Sequence, residues 1–249
     1  ETSCDETSVA ITKGRQEALA DLVSSQIDLH AKYGGVVPEV AARQHVQTII
    51  PLLKEAQDKA RIKLSDLDAI AVVNGPGLIT SLIVEIDTAK ALAWALQKPL
   101  IAVNHLEAHI YSNFIGQRED EIIFPALCLI VSGGHTELVL MENHGRYKIS
   151  GQTRDDAAGE AFDKVARLLN LGFPGGPAIA RLADLGNSKS FQFSRPMLQN
   201  PDFDFSFSGL KTEVLRLVSK KNKFTSQELM NICASFQAAV VDTLVAKTL

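Results

Sequence analysis

The spacing of apolar residues in the first half of the chain predicts alternating strands and helices. Two stretches have the three-to-four-residue spacing of amphipathic helices, a third is rich in Ala and Leu, and three short apolar runs have the length of strands. The predicted helices span 17–32, 38–60 and 78–96, and the predicted strands span 8–12, 68–73 and 99–103. Pro51 is expected at a kink or at the start of a new turn. The strand–helix–strand order over 68–103 predicts an α/β layer with parallel strands.

The second half of the chain has a different pattern, in which strands come first and helices follow. Strands are predicted at 125–131 and 136–142, with a third beginning at 147, and helices at 156–169, 178–185, 210–218 and 227–249. The most polar break in mid-chain is 117–121, and we place a domain boundary there. The predicted α/β subdomains are therefore 1–118 and 119–249, and their succession suggests an internal duplication.

Composition narrows the class of protein. Hydrophobic residues make up 46% of the 249, which is enough for a substantial core, and no apolar run approaches the roughly 20 residues of a membrane span. The net charge of −4 excludes a basic field over the whole surface, so contact with RNA would need a local basic patch or a partner. Three scattered cysteines fit a reducing cytoplasm and argue against a cysteine-based metal site.

A pair of histidines is the first candidate for chemistry. His105 and His109 are four residues apart, and Asn104 before them is a good N-cap, so both imidazoles are expected on one face of a helix that follows a strand. Such a pair can bind one divalent metal, or it can be a pair of surface or capping histidines. Glu107 is about 200° around the helix from His105, which disfavours the geometry of a His-Glu-x-x-His peptidase.

A glycine turn between two predicted strands is the second candidate. Its glycines let backbone N–H groups approach an anion, and the hydroxyls of Ser132 and Thr136 can donate hydrogen bonds, although a plain glycine hairpin has the same pattern. The polar turn at 2–7 is its counterpart in the first half.

Carboxylates cluster shortly after that glycine turn. Asp155 and Asp156 precede a predicted helix, where they either cap it or favour its dipole. Glu160 and Asp163 share one helix face and could reach a ribose or a metal. Further along, the loop at 174–177 could support a flat ring, and Ser208 is expected to cap a helix.

The order of these motifs is more informative than any one of them. In chain order they are ETSCDET at 1–7, GPGL at 75–78, NHLEAH at 104–109, SGGHT at 132–136, DDAAGEAFDK at 155–164, PGGP at 174–177 and FSGLKT at 207–212. Together they resemble the universal tRNA threonylcarbamoyladenosine transferase family, whose older label was O-sialoglycoprotein endopeptidase. The resemblance covers essentially the whole chain.

The resemblance implies a fold, an activity and partners. The implied fold is the ASKHA type, with duplicated α/β domains and helical insertions like those of actin, Hsp70 and sugar kinases. The implied cytoplasmic enzyme transfers the threonylcarbamoyl group of threonylcarbamoyl-AMP to the exocyclic amine of adenosine 37, in tRNAs that read codons beginning with A. A smaller paralogous subunit and an ATPase would be its partners, and no membrane is implied. The alternatives are a metallopeptidase and a non-catalytic scaffold subunit of the same complex.

The resemblance also implies roles for particular residues. His105 and His109 would bind one divalent metal, Fe²⁺ or alternatively Zn²⁺. The residues that would bind the substrate are Ile130, Val131, Ser132, Gly133 and Gly134 at the phosphate, and Asp163 and Gly176 at the nucleoside. A third metal ligand, an aspartate, is expected downstream of residue 249, so we expect the chain to be a fragment lacking the C-terminal part. No general base is assigned, and Glu85 occupies a position where the family usually has glycine.

Overall fold

The computed structural model describes residues 1–14, 17–116, 122–221 and 223–249. These residues form two compact units, Glu1–Ile122 and Ile123–Leu249. The predicted boundary segment 117–121 lies outside the described residues. The mixed α/β class is as predicted, whereas the assignment of two duplicated ASKHA subdomains stays a prediction.

Unit 1 contains four strands and four helices among its described residues. The strands are β1 (Glu6–Lys13), β2 (Glu17–Ser25), β3 (Ile70–Gly75) and β4 (Leu100–Asn104). The helices are α1 (Ile27–Ala31), α2 (Pro38–Ala60), α3 (Ile79–Leu96) and α4 (His105–Ser112), with a short 3₁₀ turn at Leu64–Asp66. Pro51 lies inside α2, which is one continuous helix.

The predicted helix over 17–32 is wrong. Residues Glu17–Ser25 form β2, which pairs antiparallel with β1, and only Ile27–Ala31 is helical. Glu, Ala and Leu favour a helix locally, but pairing with a neighbouring strand overrides so weak a preference. Gly14 follows β1 with a φ of +63°, a conformation that glycine adopts at little cost.

The predicted parallel arrangement is confirmed in the second part of unit 1. β3 and β4 pair parallel, with Ile70 opposite Leu100 and Val73 opposite Val103, and α3 connects them. The carboxyl ends of both strands therefore lie at the same edge. β4 leads directly into α4, the helix that carries both histidines.

Unit 2 is an antiparallel sheet followed by four helices. The strands β5 (Ala126–Val131), β6 (Thr136–Asn143) and β7 (Arg146–Gln152) pair in that order. The helices are α5 (Ala158–Leu168), α6 (Gly175–Ala183), α7 (Ser208–Lys220) and α8 (Ser226–Thr248). All seven elements correspond to predicted ones, with ends displaced by a few residues.

The helices of unit 2 share a core of large apolar side chains. Phe205, Phe207 and Phe236 are fully buried in it, together with Ile179 and Ile232. Burying a side chain of this size contributes about 1.5–3 kcal/mol relative to leaving it exposed.

By length and composition alone α8 could cross a membrane, although no apolar run of that length was predicted from the sequence. Its buried residues, among them Ile232, Phe236 and Val240, belong to the core of unit 2. The structure therefore accounts for its apolar character as that of a core helix.

Candidate functional site

The two histidines of α4 point their ring nitrogens at each other. Asn104 caps the helix as predicted, because its Oδ1 accepts hydrogen bonds from the N–H groups of Leu106 (2.9 Å) and Glu107 (3.2 Å). The Nε2 atoms of His105 and His109 are 3.1 Å apart, and the rings meet edge to face at 78°. The local sequence therefore fixes where the helix begins, and the four-residue spacing brings the imidazoles together.

This geometry fits two ligands of one metal ion. Nitrogens that lie about 2.0–2.1 Å from a shared metal, at the angles of tetrahedral or octahedral coordination, are about 2.9–3.4 Å apart. The 3.1 Å separation of the two Nε2 atoms is within this range. Within the parts of the chain that the structure describes, no cluster of three His, Cys, Asp or Glu side chains forms a complete metal site.

The start of the chain packs against the same helix. The Oε2 atom of Glu1 is 3.3 Å from Nδ1 of His105, and the hydroxyl of Ser3 is 3.4 Å from that nitrogen. Burial alone would raise the pKa of Glu1, but hydrogen bonds with His105 and Ser3 outweigh it and lower the pKa to about 2. Glu1 is therefore a carboxylate at neutral pH.

The glycine turn at 75–77 holds the beginning of the chain in place. Leu78 donates its N–H to the carbonyl of Ser3 at 2.7 Å, and a Cβ built on Gly77 would lie 2.7 Å from Cβ of Ser3. Thr2 donates its hydroxyl to the carbonyl of Ser81 at 2.8 Å. Three of the seven motifs therefore meet in unit 1, at the end of the parallel strand pair.

The buried side chain of His45 also holds the beginning of the chain in place, through contacts with Cys4 and Thr7. His45, on α2, has its Nε2 3.0 Å from the carbonyl of Cys4 and its Nδ1 2.8 Å from the hydroxyl of Thr7. Because the carbonyl can only accept, Nε2 carries the proton and Nδ1 accepts from Thr7. Burial lowers the pKa of His45, which keeps it neutral and structural.

In unit 2 the glycine turn and α5 are in direct contact. Ser132 donates its N–H to the carbonyl of His135 at 2.8 Å, and its hydroxyl accepts from the N–H of His135 at 3.0 Å. The carbonyl of Ser132 in turn accepts from the N–H of Gly159, in the first turn of α5, at 3.1 Å. The turn therefore lies beside the positive end of the helix dipole.

The glycines of this turn leave open space. A Cβ on Gly133 or Gly134 would meet no atom within 4 Å. The predicted role of Thr136 is wrong, because its fully buried hydroxyl accepts from the N–H of Ala158 at 2.9 Å and thus stabilises the start of α5. The N–H of Gly134 donates to the hydroxyl of Ser132 at 3.3 Å, so the surface proposed for an anion consists of the backbone of Gly133 and the hydroxyl of Ser132.

The residues expected to contact the nucleoside are Asp163, on α5, and Gly176, in the first turn of α6. Asp163, on α5, accepts a hydrogen bond from the N–H of Gly175 at 2.7 Å, where α6 begins. Gly176 follows, and a Cβ there would meet no atom within 4 Å. Glu160, which was expected on the same face as Asp163, forms an ion pair with Lys164 at 2.8 Å.

Asp155 has a different role from the one predicted. Its carboxylate does not cap α5. It accepts from the hydroxyl of Ser206 (2.6 Å), the N–H of Phe207 (2.8 Å), and the N–H (3.2 Å) and hydroxyl (2.7 Å) of Ser208. Asp155 thus caps α7, and Ser208 is a donor to it within the first turn of that helix.

Comparison with known proteins decides the family. A profile described as tRNA N6-adenosine threonylcarbamoyltransferase matches residues 17–249. Proteins of that name from Syntrophomonas wolfei and Geotalea uraniireducens are 51% and 52% identical over the whole chain, which spans 73% and 72% of their lengths. The chain belongs to the tRNA N6-adenosine threonylcarbamoyltransferase family. As a member of that family it is a tRNA-modifying transferase.

One similar solved structure is that of YeaZ from Pseudomonas aeruginosa, which is 25% identical in sequence. The superposition covers 60% of this chain and 63% of YeaZ, with a TM-score of 0.39. That score is too low to support an argument about the fold. The assignment to the threonylcarbamoyltransferase family therefore depends on the sequence relatives.

Two contacts around the candidate site were not predicted. The polar turn at 2–7 is recognisable in the sequence, but the contact of Glu1 and Ser3 with His105 is not, because 104 residues separate Glu1 from that histidine. The role of Asp155 was missed for the same reason, since its partners are about 50 residues downstream. In both cases a local pattern marked the residues, but no spacing in the sequence marked the pairing.

Proposed function

We propose that the chain transfers the threonylcarbamoyl group of threonylcarbamoyl-AMP to the N6 amine of adenosine 37, in tRNAs that read codons beginning with A. The observation that carries the proposal is the 3.1 Å approach of the His105 and His109 Nε2 atoms on α4, within the chain that the family profile matches. A pair of imidazoles this close together suits an enzyme that binds one divalent metal.

The reaction is an acyl transfer to nitrogen. The N6 amine attacks the carbamoyl carbon and forms a C–N bond, while the bond from that carbon to the phosphate oxygen breaks. AMP leaves with the bonding electron pair, and the proton that the amine loses passes to water. The acyl group arrives already activated, so no nucleophilic serine or cysteine is required.

In this proposal unit 2 binds the AMP part of the donor. The phosphate lies on the backbone of Ile130–Gly134, where Gly133 and Gly134 leave open space and the nearby start of α5 favours negative charge. Asp163 and Gly176 contact the nucleoside. Gly176 is half-buried but leaves open space where a Cβ would be, and Asp163 is fixed by its hydrogen bond from Gly175.

His105 and His109 would bind the metal, for which we propose Fe²⁺ with Zn²⁺ as the alternative. When bound, the metal supplies a template for the donor and a Lewis acid for its carbonyl. The imidazoles contribute orientation, since α4 is fixed by its Asn104 cap.

The ASKHA fold, the partner subunits and the location in the cell belong to the same proposal. The smaller paralogous subunit would dock on α2, where Val46 and Ile50 lie one turn apart with 62% and 58% of their surfaces exposed. The ATPase subunit and the tRNA complete the proposed assembly. Free thiols at the three cysteines agree with a reducing cytoplasm.

A transfer assay with the full-length protein tests the proposal. Threonylcarbamoyl carrying labelled threonine is followed into tRNA with the wild type, His105→Ala and Glu107→Gln. We expect His105→Ala to fall to background and Glu107→Gln to remain close to wild type, because Glu107 lines a different face of α4, towards Tyr111 and Asn74. Equal transfer by wild type and His105→Ala would contradict the metal role. If Glu107→Gln abolished cleavage of a glycoprotein, the metallopeptidase alternative would replace the proposal, and a wild type without any transfer would favour the scaffold subunit.

A further inference from the structure

The carboxylate of Glu1 contacts His105, one of the two proposed metal ligands. Its Oε2 is 3.3 Å from Nδ1 of His105, while Nε2 of the same ring faces His109. The two nitrogens of one imidazole thus have different surroundings, a carboxylate on one side and the second histidine on the other. Any role of Glu1 at this site rests on the proposed metal role of these histidines.

The carboxylate is itself held in position. Its Oε1 accepts a hydrogen bond from the N–H of Ser3 at 2.6 Å. Ser3 is fixed in turn by the N–H of Leu78 and by close contact with Gly77. Glu1 is 27% exposed, so its carboxylate is partly shielded from solvent.

We propose that Glu1 is a positioning residue for the metal site, which accepts the Nδ1 proton of His105 and so directs the Nε2 lone pair at the metal. A neutral imidazole has one protonated nitrogen and one with a free lone pair, and the hydrogen bond made by the first decides which nitrogen can bind a metal. Carboxylates that accept from the remote nitrogen of a ligating histidine fix both its tautomer and its orientation.

Ser3 cannot replace Glu1 in this role. Its hydroxyl is 3.4 Å from the same nitrogen, but a hydroxyl can either donate or accept and is therefore compatible with both tautomers. A carboxylate only accepts, so Glu1 selects the tautomer with the proton on Nδ1. We expect Ser3→Ala to have a much smaller effect than loss of the Glu1 carboxylate.

Metal affinity gives the first test. Full-length protein is stripped of metal, and the Kd for Zn²⁺ is measured by competition with a chromophoric chelator for the wild type, Glu1→Gln, Glu1→Asp and Glu55→Gln. Glu1→Gln should weaken binding by about 10- to 100-fold, the usual cost of losing such a partner. Glu1→Asp should recover part of the affinity, and Glu55→Gln, the same change at an exposed position of α2, should match the wild type. Wild-type affinity in a folded Glu1→Gln would overturn the inference.

The tautomer gives a second test that needs neither metal nor a variant of Glu1. ¹⁵N chemical shifts of the imidazole in metal-free wild-type protein should show the proton on Nδ1 of His105. His105→Ala assigns the signal and also separates the two hypotheses. If wild type and His105→Ala bind Zn²⁺ equally, the proposed metal site is wrong. If the wild type binds Zn²⁺ and His105→Ala does not, the metal site stands. If in that case the imidazole proton of His105 in the wild type lies on Nε2, the role of Glu1 is wrong.

Discussion

Gly159 lies directly against Ser132. Its N–H donates to the carbonyl of Ser132 at 3.1 Å, and a Cβ built on Gly159 would be 2.5 Å from that oxygen and 2.9 Å from Cα of Gly133. The first turn of α5 can approach the glycine turn this closely only because position 159 has no side chain. The approach connects the proposed phosphate site to the helix that carries Asp163.

Gly159→Ala should therefore separate the turn from the helix. The clash is with backbone, which cannot rotate away, so we expect the free energy of unfolding to fall by about 1–3 kcal/mol and affinity for threonylcarbamoyl-AMP to fall with it. Urea denaturation and a nucleotide-binding titration measure the two effects. Gly209→Ala is the matched control in the first turn of α7, because a Cβ there would have only an atom of Pro196 at 4.0 Å. Equal stability of both variants would contradict the close contact.

Gly133→Val should abolish adenylate binding without lowering the stability of the fold. A side chain at position 133 meets open space in the protein, so the fold should be retained, but a branched side chain would occupy the volume proposed for the phosphate. We expect an unchanged circular dichroism spectrum and urea midpoint together with loss of detectable adenylate binding. Unchanged nucleotide affinity would place the phosphate elsewhere.

Local signals predicted those parts of the fold and site that depend on neighbours in sequence. The Asn104 cap and the pairing of His105 with His109 follow from a cap residue and a four-residue spacing, and both appear in the structure. β2 was missed because the helical preference of its residues is local, whereas its pairing with β1 is tertiary. The functions of Asp155 and Glu1 depend on partners about 50 and 104 residues away, for which a single sequence has no signal.

Asp155→Asn should show that the Asp155 carboxylate stabilises the start of α7 in a pH-dependent way. Burial alone would raise the pKa of Asp155, but hydrogen bonds from Ser206, Ser208 and Phe207 outweigh it and lower the pKa below 3.8. A lowered folded-state pKa means that the stabilisation is present above pH 3.8 and is lost as the pH falls through the folded-state value. At pH 7 the variant should be about 1 kcal/mol less stable, a modest value because Asp155 is exposed to solvent.

The difference between wild type and Asp155→Asn should shrink as the pH is lowered below 3.8. Urea denaturation at intervals between pH 7 and pH 3 measures it. A difference that stayed constant over this range would show that the carboxylate charge does not hold the start of α7.

Glu85 is a buried carboxyl group in surroundings that disfavour its charged form. Its side chain on α3 is 2% exposed, and a hydrogen bond with the backbone of Thr2 favours its charged form. Burial is the larger effect and raises the pKa of Glu85 above its ordinary value of 4.5.

Glu85→Gln should therefore stabilise unit 1 at neutral pH. With a raised folded-state pKa, the folded protein binds the proton more tightly than the unfolded chain, so wild-type stability falls as the pH rises from 4.5 through the folded-state value. Glutamine keeps the size of the side chain but has no charge to bury, so we expect a gain of about 1–3 kcal/mol at pH 7. The gain should vanish near pH 4, where glutamate is protonated in both states. Urea denaturation at the two pH values is the measurement, and Glu55→Gln, at an exposed position of α2, should show no such gain. A Glu85→Gln variant that was less stable than wild type at pH 7 would mean that the Glu85 charge is compensated in the folded protein.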